Sequence, residues 1–162
     1  HRVFATAGSD EKARACEALG AERGINYRTE DFVAVVKELT GGKGVDVILD
    51  MVGGDYLPRE ISCLADDGRI GLIAVQGGTR AELDLGTLLR RRLTVTGSTL
   101  RPRSVAFKAA IANHLRTTVW PLIEAGKITP VIYQTFPLEK ANAAHALMEA
   151  STHVGKIMLQ VA

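Results

Sequence analysis

At 162 residues the chain has the size of one domain, or one domain with an appendage, and can bury a genuine core. Its composition, 46% hydrophobic and 23% charged, is ordinary for a globular protein, and a net charge of +2 is too small to argue for nucleic acid or a membrane surface as partner. No apolar run approaches the roughly 20 residues of a membrane span.

No signal peptide opens the chain, which enters a strand at Arg2 with no cap, loop or Met, as though cut. Val3 to Ala7 is the first apolar run, Gly8 breaks it, and Ser9 stands where a helix N-cap belongs. Asp10 and Glu11 suit the first helical turn, whereas Lys12 works against the dipole there and is either solvated or faces an anion. Ala13, Cys16 and Leu19 continue at helical spacing to a stop at Gly20. Gly24 to Tyr27 is a short strand, and Thr29 is expected to cap a helix running through Phe32, Val35, Val36 and Leu39 to Gly41-Gly42. Val45 to Val52 is nearly all apolar, as a parallel strand covered on both faces should be. Gly53-Gly54 ends it. A helix from about Leu57 to Leu64 tolerates Pro58 in its first turn. Arg69 to Val75 is the next strand, closed by Gly77-Gly78, and a helix near Leu85 to Arg92 leads to a strand from Leu93 to Ser98. The period then turns helical from Ser104 to Gly126, with a bend at Pro121. Val131 to Phe136 is extended, Leu138 to Ala150 helical, and Lys156 to Val161 a closing strand. A domain boundary is placed near Gly126, ahead of the turn at Thr129-Pro130.

Strict alternation of strand and helix predicts a doubly wound α/β fold with parallel strands and right-handed crossovers. In such folds the tip of the second strand reads the ribose of a dinucleotide, and a 2′-hydroxyl calls for Asp or Glu there. This tip offers Ser9 and Lys12, which suit a 2′-phosphate and hence NADPH. Tyr27 could stack on an adenine or be an ordinary half-buried aromatic.

The G-x-G-x-x-G fingerprint is missing. Gly41-Gly42-Lys43-Gly44 lies between a helix and a strand, so no helix N-terminus faces it, and it reads as a C-cap and turn. Gly53-Gly54 has the right polarity but no third glycine, and reads as a carboxyl-edge loop that could brush a cofactor. His114, His145 and His153 have no partners at triad or metal spacing. Arg90-Arg91-Arg92 reads as a solvated face, and Arg101 and Arg103 as the rim of a site. Cys16 and Cys63 lack metal-ligand spacing and read as core thiols of a reducing cytoplasm, where the protein is placed.

The runs A-T-A-G-S-D-E-K (5–12), G-A-E-R-G-I-N-Y-R-T-E-D-F (20–32), G-V-D-V-I-L-D-M-V-G-G (44–54), T-G-S-T-L-R-P-R-S (96–104) and H-V-G-K-I-M-L (153–159) resemble the second half of a zeta-crystallin-like NAD(P)H:quinone oxidoreductase of the medium-chain dehydrogenase/reductase superfamily. G-S-T-L-R-P-R-S is the most subfamily-specific stretch, pointing away from the zinc alcohol dehydrogenases. The resemblance implies that Ser9, Lys12 and Tyr27 contact the adenosine 2′-phosphate of NADPH. It implies that Ile73, Ala74, Val75 and Gln76, with Ser98, Thr99 and Leu100, line the nicotinamide side, and that Ser151 makes a further polar contact. It also implies a Rossmann-like sheet without its first strand and glycine-rich loop, with residues 1–126 a partial NADPH-binding domain and 127–162 a strand-helix-strand return to the catalytic domain. The implied chemistry is zinc-independent hydride transfer to a quinone or similar conjugated carbonyl, in a homodimer paired through Thr94 to Ser98.

In the 3-2-1-4-5-6 strand order, strand 1 is central. Its absence is expected to leave the strands at Val3 and Val45 without their shared neighbour, so that this polypeptide depends on the missing portion, a partner chain or a rearranged pairing, and by itself is inactive and binds NADPH weakly at best. Three rival readings are an enoyl-thioester reductase of the same superfamily, a methyltransferase suggested by V-D-V-I-L-D-M, and a non-catalytic nucleotide- or RNA-binding module. The low charge and the lack of interleaved basic and aromatic residues argue against RNA.

Overall fold

An apolar run, a glycine and a capping serine build the opening unit of the structure, a computed structural model that describes residues 1–161. Strand β1 (Phe4–Ala7) passes into helix α1 (Asp10–Ala18), where the Lys12 amide donates to Ser9 Oγ at 3.3 Å. Strand β2 (Arg23–Asn26) lies parallel to β1 with Asn26 opposite Ala7. Helix α2 (Phe32–Leu39) leads to β3 (Val45–Asp50), and α3 (Tyr56–Cys63) to β4 (Leu64–Leu72). Helix α4 (Leu85–Arg91) and strand β5 (Thr94–Gly97) complete a parallel sheet of order β3-β4-β5. The fold is therefore α/β with parallel strands, as the alternation predicts.

These five strands fall into two sheets. Among the described residues, β1 pairs only with β2 and β3 only with β4, so each presents an edge without a ladder partner. One core nevertheless underlies both sheets. Ile25, Phe32, Val36 and Cys63 are buried together, with Phe4 from β1 and Val45 and Ile48 from β3 packed on them. A second cluster, Leu57, Ile61, Leu64 and Ile70, shares Val45 and Ile48 with the first.

Several elements depart from the sequence reading. Strand β3 ends at Asp50, and only its Ile48 side is covered, by α2 and α3. Alternation sends Val47 and Leu49 to the other face, where they are 63% and 67% exposed. Helix α2 is capped by Asp31, whose Oδ1 accepts from the Val33 amide at 3.1 Å, while the Thr29 hydroxyl donates to the Asn26 carbonyl and closes the preceding turn. Strand β4 starts at Leu64 rather than Arg69, because the turn at Asp67 (φ 62°) interrupts its register without ending it. It also ends at Leu72, so Ile73 to Gln76 form a loop beyond the strand.

The chain divides into two compact units after Pro102. The second contains α5 (Val105–Thr118) and α6 (Trp120–Glu124), two helices where one bent helix is expected, with Pro121 in the first turn of α6. There β6 (Ile132–Pro137) and β7 (Lys156–Gln160) pair in parallel around α7 (Ala141–Ala150), which a 3₁₀ turn at Leu138–Lys140 precedes. This is the expected strand-helix-strand segment. The division at Pro102 falls ahead of the boundary read at Gly126.

Candidate functional site

The loops leaving β1 to β5 emerge at the carboxyl ends of parallel strands, the edge at which open α/β sheets bind ligands. At the first corner, the Tyr27 amide donates to the Ala7 carbonyl at 3.1 Å, and its ring folds over Gly8. A Cβ on Gly8 would lie 2.8 Å from Tyr27 Oη and 3.6 Å from Arg28 Nε. This corner thus brings together the Ser9 and Tyr27 hydroxyls and the Arg28 guanidinium, with Lys12 half-buried on the adjoining turn of α1.

Buried Asn26 ties the corner together. Its Nδ2 donates to Asp10 Oδ1 at 2.6 Å, its Oδ1 accepts from the Arg28 amide at 3.1 Å, and its own amide donates to Glu30 Oε2 at 3.0 Å. Of the two carboxylates of the first turn, Asp10 and Glu11, Asp10 thereby has an oxygen committed to the scaffold. Tyr27 meets Tyr56 edge-on at 6.1 Å, Tyr56 stacks on Phe32 at 5.6 Å, and the Arg59 guanidinium lies 4.2 Å from the Phe32 ring centre while bonding Asp31. A half-exposed tyrosine is thus braced from the core. A tyrosine hydroxyl and a guanidinium beside a glycine too crowded for a side chain, next to the Ser9 cap of α1, suit an anionic oxygen group such as a phosphate.

At the second corner, Asp50 is 2% exposed and accepts from the Val52 amide (2.6 Å) and the Gly53 amide (2.9 Å). Gly53 forms a parallel bridge with Gly78, and the Gly77 amide donates to the Val52 carbonyl at 2.7 Å. Beside this paired turn run Ile73 to Gln76. The Ile73 amide donates to Asp50 O and the Gln76 amide to Met51 O, leaving the Ile73, Val75 and Gln76 side chains exposed and Ala74 half-buried. The Ser98 amide donates to Leu72 O at 2.9 Å, which sets Ser98, Thr99 and Leu100 beyond the end of β5. Ser151 belongs to the second unit, where it is the left-handed C-cap of α7 (φ 53°).

Beneath the second corner Glu60 of α3, 8% exposed, shares a side-chain hydrogen bond with Asp50. Burial, and then the Asp50 charge, push its carboxyl up to about 7, and its Oε2 has no hydrogen-bond partner among the described residues. Burial likewise pushes the Cys63 thiol up to about 11.

Arg91 and Arg92 pair with Asp66 (3.0 Å) and Asp67 (2.7 Å), and Arg103 packs on the Phe107 ring. Among the described residues no three His, Cys, Asp or Glu side chains are grouped to hold a metal, and no helix is long and apolar enough to cross a membrane. The residues that sequence reasoning passes over are Asn26, Arg28, Asp50 and Glu60. Glu60 carried a signal, standing between Leu57 and Leu64 on the buried face of α3. Arg28 and Asn26 carried none.

The family model for zinc-binding dehydrogenases matches residues 19–159. The chain is 34% identical to 2-haloacrylate reductase of Burkholderia sp over 161 residues, covering 97% of this chain and 47% of that protein. It is 31% identical to quinone oxidoreductase 1 of Escherichia coli (strain K12), covering 98% of this chain and 49% of that protein. The solved structure of Escherichia coli quinone oxidoreductase complexed with NADPH superposes with a TM-score of 0.81 at 32% identity, covering 99% of this chain and 49% of that one. The chain spans about half the length of the relatives it matches.

Proposed function

The chain belongs to the zinc-binding dehydrogenase family, and from that premise we propose that it is the dinucleotide-holding half of an NADPH-dependent, zinc-independent reductase acting on a quinone or another conjugated carbonyl. The observation that carries the proposal is the corner around Gly8, where the Tyr27 hydroxyl and the Arg28 guanidinium meet beside Ser9 and Lys12 of the adjoining turn, while Asp10 is tied to Asn26. Relatives support the substrate class. Quinone oxidoreductase 1 and 2-haloacrylate reductase are named for acceptors in which a carbon–carbon double bond is conjugated to a carbonyl.

In this reading Lys12 and Arg28 neutralise the 2′-phosphate, and the Ser9 and Tyr27 hydroxyls orient it. Tyr27 is held upright by Tyr56. Ile73 to Gln76 and Ser98 to Leu100 line the nicotinamide side. When bound, NADPH supplies the hydride. No acid–base residue is assigned within this chain. Residues 1–126 form the cofactor-binding part and 127–162 rejoin the catalytic domain. Strand β5, with a ladder partner on one side only, pairs two copies through Thr94 to Ser98. The free thiols of Cys16 and Cys63 suit a reducing cytoplasm.

Calorimetric titration of NADPH and NADH into the polypeptide that carries this chain with its N-terminal half tests the cofactor. Tighter binding of NADPH is expected, and equal affinities overturn the phosphate assignment. Turnover with a quinone, a 2-haloacrylate and an enoyl thioester then ranks the acceptors. Metal analysis of the active protein tests zinc independence, and stoichiometric zinc required for turnover defeats it.

A further inference from the structure

Two buried carboxylates, Asp50 at the carboxyl end of β3 and Glu60 on α3, share a side-chain hydrogen bond. Asp50 uses both oxygens to fix the turn that follows it, Oδ1 on the Val52 amide and Oδ2 on the Gly53 amide. That turn has no slack. Gly53 and Gly54 have φ of 63° and 54°, and a Cβ on either would meet the Gly78 or Gly77 carbonyl oxygen at 2.9 or 2.7 Å. The two glycine turns at the ligand edge therefore stand or fall together.

Glu60 closes the arrangement from below. It is hydrogen-bonded to Asp50, and one of its own oxygens is buried without a hydrogen-bond partner among the described residues. Two carboxylates in such contact, shielded from water, cannot both be ionised without strong repulsion. Because both Asp50 oxygens accept from backbone amides, the shared proton belongs on Glu60, which donates it to Asp50. Among the described residues, no cation figures among the groups that act on the Glu60 carboxyl. Tyr56, Arg59 and Cys63 are the other titratable groups beside Glu60 on α3, and Asp31 and Lys37 face Cys63 from α2. Tyr56 is raised by burial, Cys63 stands at about 11, and Arg59 is engaged by Asp31.

We propose that Glu60 is a positioning residue of the ligand edge, which by lending one proton to Asp50 holds the Gly53-Gly54 turn against the Gly77-Gly78 turn and makes that edge sensitive to pH. That the edge borders a dinucleotide rests on the function proposed above; the proton sharing does not. Loss of the proton sets two anions against each other under the turn. Asp50 must then shift, and the Val52 and Gly53 amides lose their acceptor.

The test is an NMR pH titration of the 162-residue chain without ligand, following the Val52 and Gly53 amide resonances. Both are expected to move together with a midpoint near pH 7. In Glu60→Gln, whose amide still donates to Asp50, the inflection is expected to vanish while the low-pH chemical shifts persist. In Asp50→Asn, the Glu60 carboxyl carbon is expected to titrate at lower pH than in the native chain. The proposal is overturned if the native amides show no inflection between about pH 6 and pH 8, if the inflection survives in Glu60→Gln, or if Asp50→Asn leaves the Glu60 midpoint unmoved. With the N-terminal half present, NADPH affinity should fall across the same pH interval in the native protein and stay flat in Glu60→Gln. Failure to bind NADPH at any pH, with the titration intact, defeats the cofactor assignment and not the proton sharing.

Discussion

In the function proposed above, individual side chains set which cofactor this edge prefers. Lys12 is asked to supply one charge to a phosphate that NADH lacks. Lys12→Ala should therefore weaken NADPH about tenfold or more, the size of one charge-assisted contact, and leave NADH nearly unchanged. Equal losses on both cofactors would refute its role. Arg28→Ala should show the same asymmetry in calorimetry. Glu60 also couples folding to pH. Its carboxyl is raised from an ordinary 4.5 to about 7 in the folded chain, so the folded state keeps a proton that the unfolded chain releases between those values. That contribution to stability is fully present below about pH 4.5, is lost as pH rises through 7, and is absent from Glu60→Gln. Urea melts at pH 5, 6 and 8 measure it; a native chain with the same pH slope as Glu60→Gln would contradict the assignment.

At the scale of elements, β4 is the spine of the larger sheet, with β3 and β5 on either side. Ile70 lies in β4, fully buried against Leu57, Ile61 and Leu64. Ile70→Ala should cost about 2–5 kcal/mol by chemical denaturation, the range for emptying a core site. Strand β5 carries the sheet's outer edge, where Thr94 and Thr96 are exposed. If that edge joins two copies, Thr96→Lys should convert a dimer to a monomer by light scattering, since a charge on a strand edge blocks edge-to-edge pairing. An unchanged mass removes β5 from the interface.

For the whole molecule, the unfilled place is between β1 and β3. Their edges have no ladder partner among the described residues, and Val47 and Leu49 turn an apolar face outward beside them. A further parallel strand there would join two sheets that already share one core. Amide exchange across Phe4–Ala7 and Val45–Asp50 should accordingly be fast in this chain alone and slow markedly when the N-terminal half is attached. Identical protection in both forms would show that the place is filled some other way.

Much of this was written locally. Ser9 as a cap, the order of strands and helices and the parallel pairing all follow from spacing within a few residues, because capping and alternation act over one turn or one pleat. The first-turn chemistry on which the proposed phosphate contact rests is equally local. Where the sequence reading takes Thr29 as the cap of α2, side-chain reach to the Val33 amide chose Asp31, two residues further on. The rest required distance. Asp50 and Glu60 are ten residues apart, and the turn between β3 and α3 alone makes them neighbours that must share a proton. Asn26 commits Asp10 across sixteen residues. Whether an apolar strand is covered on one face or two depends on which helices pack against it, and no pattern within Val45 to Val52 contains that information.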